Sequence, residues 1–341
     1  MQNNINFAPP EEVKESASAK LKKAPPEPIS EAFAPLLLCG ISMLLGLLAF
    51  IIDKFLFPFS AELLSPVLCQ ILILILPSYL YLSATAPERS FTDNIKSLRV
   101  CGFRAENIFF LIFATAFMIC SSFTLDALFG GVYLTADGFT LMGIITAGES
   151  EYSVSTPYLV ICYAIVPAIA EEIFFRGVIF KEFEKRGFVF ATVISSLIYA
   201  VLAYNPGQIP AALVSGAIFA AALSVTGSLS ACILMHLIYN VYGLFLQPNL
   251  SQYLISSQNN TLLVTVLLLA LTATAALFFG ELARIYRKRS AGGDLSLRHR
   301  RFKTSSLPIF AKGCLAHKPT LITAIICGAI YVATVTIRIL L

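Results

Sequence analysis

An all-helical bundle of about nine membrane-spanning helices, with the N-terminus in the cytoplasm, is the fold that the sequence predicts. Of the 341 residues, 57% are hydrophobic and only 13% are charged. Apolar runs long enough to cross a bilayer, which takes about 20 residues, recur along the chain. Lys and Arg gather in alternate connections between these runs, as the positive-inside rule requires of cytoplasmic loops. These observations predict a multi-pass protein of the cell membrane.

Four regions are predicted along the chain. Residues 1–30 are polar and rich in Pro, Glu and Lys, a composition that cannot bury enough apolar surface to fold, so we expect a disordered cytoplasmic tail. Residues 31–154 are predicted to form N-terminal transmembrane helices and loops, and residues 155–247 a core that contains the polar motifs described below. Residues 248–341 are predicted to add C-terminal transmembrane helices and a basic cytoplasmic loop at 286–319.

The predicted crossings are the apolar segments themselves. Positive residues lie on the N-terminal tail and on the second, fourth and eighth connections, whereas the third, fifth and seventh connections have none. This alternation places the N-terminus in the cytoplasm and the C-terminus outside. The nine segments cover about residues 35–52, 63–82, 108–129, 157–180, 188–204, 209–225, 229–246, 262–285 and 321–340.

Composition argues against other classes of protein and site. The net charge is only +4, and the basic residues lie where membrane orientation requires them, so nucleic-acid binding is not expected. The eight cysteines are scattered singly, mostly in apolar segments, which favours small core residues over a disulfide framework or a zinc site. We therefore expect membrane lipids around the chain and no cofactor. No sequence feature specifies an oligomeric state.

The fourth crossing carries two adjacent carboxylates and a guanidinium, Glu171, Glu172 and Arg176. Charged groups inside a membrane are costly, usually face a bundle interior or an aqueous cavity, and mark function. Glu172 and Arg176 are four residues apart on one helix face, which predicts an ion pair, while Glu171 points about 100° away. Glu171 is therefore predicted to be a general base that activates water, oriented by the other two. The structural alternative is a clamp of all three charges between helices.

The seventh crossing carries a second polar pair, His236 and Asn240, which share a helix face. In the predicted topology, Glu171 lies about nine residues before the cytoplasmic end of its helix and His236 about seven residues past the start of its own. Both then lie roughly 10–14 Å from the cytoplasmic ends, so a shared site is expected. The alternative is a structural hydrogen-bonding pair that holds helices together.

Three separated motifs resemble the CAAX prenyl endopeptidase and bacteriocin-processing family (CPBP family) of intramembrane proteases. The resemblance covers roughly residues 155–245. The motifs are Glu171-Glu172-x-x-x-Arg176-Gly177, Ser195-Ser196-x-x-Tyr199, and Thr226-Gly227-Ser228 leading to His236-x-x-x-Asn240.

The resemblance implies that Glu171 activates the water that attacks a peptide carbonyl. It implies that His236 and Asn240 stabilise the resulting oxyanion, and that Glu172 and Arg176 orient the base; donors aimed at developing negative charge are worth several kcal/mol in such sites. The substrate would be a membrane-associated peptide or a lipid-modified protein. We expect a glutamate-dependent site without a metal, because one histidine and two carboxylates, one of them paired with Arg176, barely reach the three ligands of a catalytic zinc.

The second motif departs from the family pattern. Tyr199 stands at the position of the family's phenylalanine, and Ala203 where the family has a histidine. Loss of one general acid or base typically costs about 10²- to 10⁴-fold in rate. The base would then work alone or with a substitute such as Tyr204 or Asn205, and we assign Tyr199, Tyr204 and Asn205 to substrate binding.

Two other hypotheses remain besides an endopeptidase. One is a catalytically impaired relative that acts as an immunity or scaffold protein of the membrane, which the replacement at Ala203 motivates. The other is a transporter in which the charges of the fourth crossing line an ion path.

Overall fold

The computed structural model describes residues 30–51, 65–129, 156–184, 187–202, 206–250, 260–291 and 317–340. Within these ranges all regular secondary structure is helical, which confirms the predicted all-helical fold. The predicted disordered tail up to residue 29, most of the third connection and the centre of the basic loop lie outside the described residues. The helices are α1 (Ser30–Ile51), α2 (65–85), α3 (Phe91–Ser97), α4 (Ile108–Phe129), α5 (156–184), α6 (Phe188–Leu202), α7 (Ile209–Thr226), α8 (Leu229–Phe245), α9 (Asn260–Ala291) and α10 (Lys318–Leu340).

Six of the described helices are long and apolar enough to cross a membrane. Three further apolar segments are shorter, Phe33–Ala49 within α1, Phe188–Leu202 and Leu229–Phe245. Each predicted crossing coincides with one of these helices, which makes the chain a membrane protein; the number of nine crossings, their orientation and the four regions stay predictions. The six long spans are Val67–Thr85, Ala105–Leu125, Thr156–Glu184, Pro206–Thr226, Val264–Lys288 and Lys318–Ile337.

Helix α5 lies at the centre of the bundle. It packs against α2, α6, α7 and α8, while α4 packs against α7, α8 and α9, and α1 against α2 and α10. Of the apolar span in α5, 44% is buried, compared with 6% of the span in α9. The apolar side chains of α9 thus suit contact with lipid, and the charged residues of α5 lie where protein surrounds them.

Small residues let α6 and α7 approach closely. A Cβ atom added at Gly216 of α7 would lie 2.8 Å from the Cβ atom of Ser196 on α6, closer than side chains tolerate. Small residues at helix interfaces allow this approach of two backbones in membrane proteins. The contact brings the backbone of α7 against the centre of α5.

The connection after α3 fixes the start of α8. Gly227 ends α7 in the left-handed conformation, with φ +67°, which glycine adopts without steric cost. The Ser228 hydroxyl donates to the Cys101 carbonyl, and the Leu229 N–H donates to the Arg99 carbonyl at 3.0 Å. Two otherwise unpaired groups at the start of α8 are thereby satisfied, and the helix that carries the predicted histidine is held in place.

The end of α3 and the connection that follows it hold the C-terminal end of α5. Lys181 Nζ donates to the Ser97 carbonyl at 2.7 Å, and Arg99 forms a 2.8 Å ion pair with Glu184. A Cβ atom at Gly177 would lie 2.8 Å from Leu98, so this stretch packs directly on α5. The C-terminal end of α5 and the start of α8 therefore have a common anchor.

Candidate active site

The two glutamates end an α-helical part of α5, Val166–Glu172, which lies between two π-helical stretches, Ile161–Ile165 and Ile173–Phe180. Pro167 has no N–H to donate to the preceding turn, and the first π-helical stretch lies at that turn. Helix α2 shows the same arrangement of Pro77 after Ile71–Ile75. Such wider turns in membrane and soluble helices are frequent at functional sites.

Glu172, Arg176 and His236 form a buried hydrogen-bonded group. Glu172 Oε1 lies 3.0 Å from Arg176 Nη1 and 2.8 Å from His236 Nδ1. The three side chains keep 0%, 1% and 3% of their surface exposed, respectively. The structure therefore contains the ion pair expected from the four-residue spacing, and adds the imidazole of α8 to it.

The second ring nitrogen of His236 faces the other carboxylate. Nε2 lies 3.6 Å from Glu171 Oε2. A carboxylate can only accept hydrogen bonds, so the contact with Glu172 assigns a proton to Nδ1. In the neutral imidazole, Nε2 is then left with a lone pair directed toward Glu171. Glu171 keeps 14% of its side-chain surface exposed and is the more accessible of the two carboxylates.

Aromatic rings enclose the guanidinium of Arg176. Its Cζ atom lies 4.6 Å from the ring centroid of Phe219, 4.7 Å from that of Tyr199 and 5.7 Å from that of Phe175. Nη2 also donates to the Gly216 carbonyl at 3.4 Å. Arg176 is thus held by cation–π contacts and by α7, and its burial keeps it from meeting a substrate directly.

Phe219 contacts the imidazole as well as the guanidinium. Its ring centroid lies 4.9 Å from that of His236, with the planes tilted by 30°. Phe219 and Gly216 both come from α7 and lie outside the three motifs, and the sequence reasoning missed them. The only sign in the sequence of the close contact between Gly216 and Ser196 is the set of small residues in α7. No spacing pattern predicts a role for Phe219.

Asn240 contacts α5 at a different level from His236. Its Nδ2 atom donates to the Ala164 carbonyl at 3.3 Å, whereas His236 contacts the glutamates seven and eight residues further along α5. Both side chains face the same helix, as their spacing predicts. The two side chains contact different parts of α5, because their four-residue spacing separates them by about 6 Å along the axis of α8.

The segment that builds this group matches a known family. Residues 153–242 match the family model described as type II CAAX prenyl endopeptidase Rce1-like. The chain resembles the Rce1-like proteases. This confirms the resemblance stated from the three motifs, and it supports an intramembrane peptidase of the CAAX-protease type. No curated protein and no solved structure matches the chain.

The Rce1-like segment contains the residues of all three motifs. Tyr199, predicted to bind substrate, packs its ring over Arg176 and lies edge-on to His236 at 6.4 Å between centroids. Ala203, Tyr204 and Asn205 lie outside the described residues, so their predicted roles stay predictions. Within the described part of the chain, no three His, Cys, Asp or Glu side chains are grouped so as to hold a metal ion.

Proposed function

We propose that this protein is an intramembrane endopeptidase in which Glu171 activates a water molecule for attack on a peptide bond. The observation that carries the proposal is the position of His236, which contacts the buried Glu172 and faces the more exposed Glu171. The two carboxylates face different nitrogens of one imidazole, so one of them can react while the other supports the ring. The Rce1-like match supports a peptidase independently of this geometry.

The chemistry requires a base, a proton store and an oxyanion donor. Glu171 would remove a proton from water while the water oxygen attacks the carbonyl carbon, and the carbonyl electron pair moves onto the oxygen. His236 Nε2 can share that proton, because the resulting imidazolium would be stabilised by Glu172. The proton then passes to the amide nitrogen of the leaving peptide as the C–N bond breaks.

Asn240 is the proposed oxyanion donor. An amide NH₂ has two hydrogens, and the Ala164 carbonyl engages one of them. For the amide to donate to a tetrahedral intermediate formed at Glu171, the Asn240 side chain would turn away from Ala164 toward His236 when the substrate binds. Pre-oriented donors of this kind contribute about 2.7–4 kcal/mol to other hydrolases.

The proposed substrate is a membrane-associated peptide or a lipid-modified protein tail. A site embedded among apolar helices is suited to a substrate that reaches it from the lipid layer. The CAAX class of substrate is taken from the family resemblance. Bacteriocin precursors, which are also peptides, are the second substrate class that the resemblance implies.

Cleavage of a defined peptide tests the proposal. The purified full chain in lipid nanodiscs should cut an internally quenched peptide ending in a farnesylated Cys-aliphatic-aliphatic-X sequence, with the new carboxyl terminus identified by mass spectrometry. Glu171→Gln should abolish cleavage. Glu281→Gln, which alters an ion pair with Arg284 on α9, is the matched control and should cut normally. Equal activity of wild type and Glu171→Gln would show that the base is assigned wrongly.

A binding protein that does not cut is the second candidate, and the replacement at Ala203 favours it. In that case the wild type would bind the farnesylated peptide and leave it intact. Ala203→His should then create or strongly raise cleavage if the remaining site is competent. Cleavage by the wild type would eliminate this candidate.

A further inference from the structure

The short helix α3 has an apolar face that the described part of the bundle leaves exposed. Phe91 keeps 59% of its surface exposed, and Ile95, four residues later on the same face, keeps 41%. Asn94 is buried and marks the side of α3 that packs on the protein. Asp93 and Lys96, on a third side, are solvent-exposed and lie 3.9 Å apart. One packed, one apolar and one charged side are typical of a helix that lies in the plane of a membrane surface.

The contacts of Phe91 place this apolar face at the level of the lipid. The apolar span of α2 ends at Thr85, and α3 begins at Phe91. The Arg89 N–H donates to the Ala86 carbonyl at 3.0 Å, which closes the short turn between the two helices. The Phe91 ring lies edge-on to that of Tyr79, with 5.7 Å between centroids. Tyr79 is itself exposed and belongs to the apolar span of α2, so the Phe91 ring lies beside a surface that faces lipid.

Helix α3 is also connected to both helices of the candidate site. The carbonyl of its last residue accepts a 2.7 Å hydrogen bond from Lys181 of α5, and the Arg99 carbonyl accepts one of 3.0 Å from the Leu229 N–H of α8. Glu172 lies nine residues before Lys181, and His236 seven residues after Leu229. These spacings correspond to about 10–14 Å along each helix. A shift of α3 would therefore move the ends of the two helices whose side chains meet at the site.

We propose that α3 is an interfacial helix, that Phe91 and Ile95 insert among the phospholipids at the bilayer surface, and that this contact holds the ends of α5 and α8 in position. The partner is the phospholipid layer, because the Phe91 ring continues the lipid-facing surface of α2. Asp93 and Lys96 would remain in the aqueous layer. Aromatic side chains are enriched at this boundary, where one end of the ring is apolar and the other is close to water. The inference does not depend on the proposed peptidase function.

A single tryptophan measures the insertion, since the chain contains none. Phe91→Trp is made in the full-length protein, in phosphatidylcholine nanodiscs with plain or bromine-labelled acyl chains. We expect the brominated lipid to lower the fluorescence at least about 2-fold, because interfacial helices lie about 5–10 Å into the boundary of headgroups and acyl chains. Lys96→Trp, on the charged side of the same helix, should lose little fluorescence. Leu269→Trp, at an exposed position of α9, is the control for full quenching by lipid.

Hydrogen exchange at the start of α8 measures the connection to the site. Removing the apolar face with Phe91→Ser and Ile95→Ser together should raise the exchange rate of the Leu229 amide about 10-fold, since the hydrogen bond to Arg99 would open more often. The matched control replaces the charged side with Asp93→Ser and Lys96→Ser, and should leave the rate unchanged. Phe91→Leu with Ile95→Leu keeps the face apolar and should retain the slow exchange of the wild type.

The outcomes are clear-cut and need no substrate, so they are independent of whether the protein cuts a peptide. Quenching of Phe91→Trp well above that of Lys96→Trp, with faster exchange at Leu229 only in the apolar-face serine variant, supports the inference. Equally weak quenching at both positions overturns it and leaves the apolar face to a protein partner. Exchange at Leu229 that is the same in the apolar-face and charged-side serine variants also overturns it, because α3 would then not hold α8.

Discussion

His236 Nδ1 lies 2.8 Å from Glu172 Oε1, and Nε2 of the same ring lies 3.6 Å from Glu171 Oε2. One imidazole thus contacts two adjacent carboxylates of α5 that differ in burial. Glu172 is also paired with Arg176, so its charge is neutralised inside the protein, while Glu171 has the more exposed side chain. In the proposed function, Glu172 has a positioning role and Glu171 carries the chemistry.

Removing Arg176 should severely destabilise the fold. Arg176→Met leaves the Glu172 carboxylate buried without its cation, and breaking one partner of a buried pair typically costs about 3–5 kcal/mol in the free energy of unfolding. Unfolding in SDS titrations, followed by circular dichroism, measures this cost. Arg284→Met removes an exposed pair with Glu281 and should cost about 0–1 kcal/mol. Equal costs for the two variants would contradict the central role of the buried pair.

Phe219 should act as a positioning residue for His236. Phe219→Leu removes the ring that lies against both His236 and Arg176, and we expect kcat to fall about 10-fold with KM little changed. The measurement is steady-state cleavage of the farnesylated peptide. Phe219→Tyr, which keeps the ring face, should recover most of the kcat.

The matched control for Phe219 is an aromatic residue outside the site. Phe278 on α9 packs against Phe110 and Phe117 of α4. Phe278→Leu should lower stability without lowering kcat. A similar fall of kcat in both variants would indicate that Phe219 acts only through general stability.

Adding a methyl group at Gly216 should force α6 and α7 apart. A Cβ atom there would lie 2.8 Å from Ser196 Cβ and 2.9 Å from Ser196 Cα, so backbone must shift, at a cost of about 1–3 kcal/mol. SDS unfolding of Gly216→Ala measures the loss. Gly280→Ala on α9 is the control, because nothing lies within 4 Å of its added Cβ. That variant should be neutral or more stable by about 0.4–1 kcal/mol, and a loss as large as that of Gly216→Ala would contradict the packing argument.

The part of the site that lies on one helix could be predicted from the sequence. Glu172 and Arg176 are four residues apart, and helical periodicity alone brings their side chains together. The same periodicity placed His236 and Asn240 on the side of α8 that faces α5. The partners across the interface could not be predicted, because they depend on the relative height and rotation of α5 and α8.

The contacts that α7 makes with the candidate site could not be predicted from the sequence, for a related reason. Phe219 and Gly216 are apolar residues in an apolar helix, and no polar motif marks them. Their roles follow from close packing of α7 against α5 and α6, which spacing within α7 does not encode.

The different roles proposed for the two glutamates give a further prediction. Glu172→Gln removes the charge that Arg176 and His236 share, so the free energy of unfolding should fall by about 3–5 kcal/mol, measured by SDS unfolding. Glu171→Gln should change it far less, because its side chain is the more exposed. Equal stability losses would place both carboxylates in the same structural clamp.

The single-turnover rate of peptide cleavage by Glu171→Gln, compared with the wild type at saturating enzyme, tests the central claim most directly. The account predicts a fall of at least about 10²-fold at unchanged Tm and unchanged peptide affinity, as expected for loss of a general base. A rate within about 2-fold of the wild type, under conditions where chemistry limits, would contradict the assignment of Glu171 as the group that activates water.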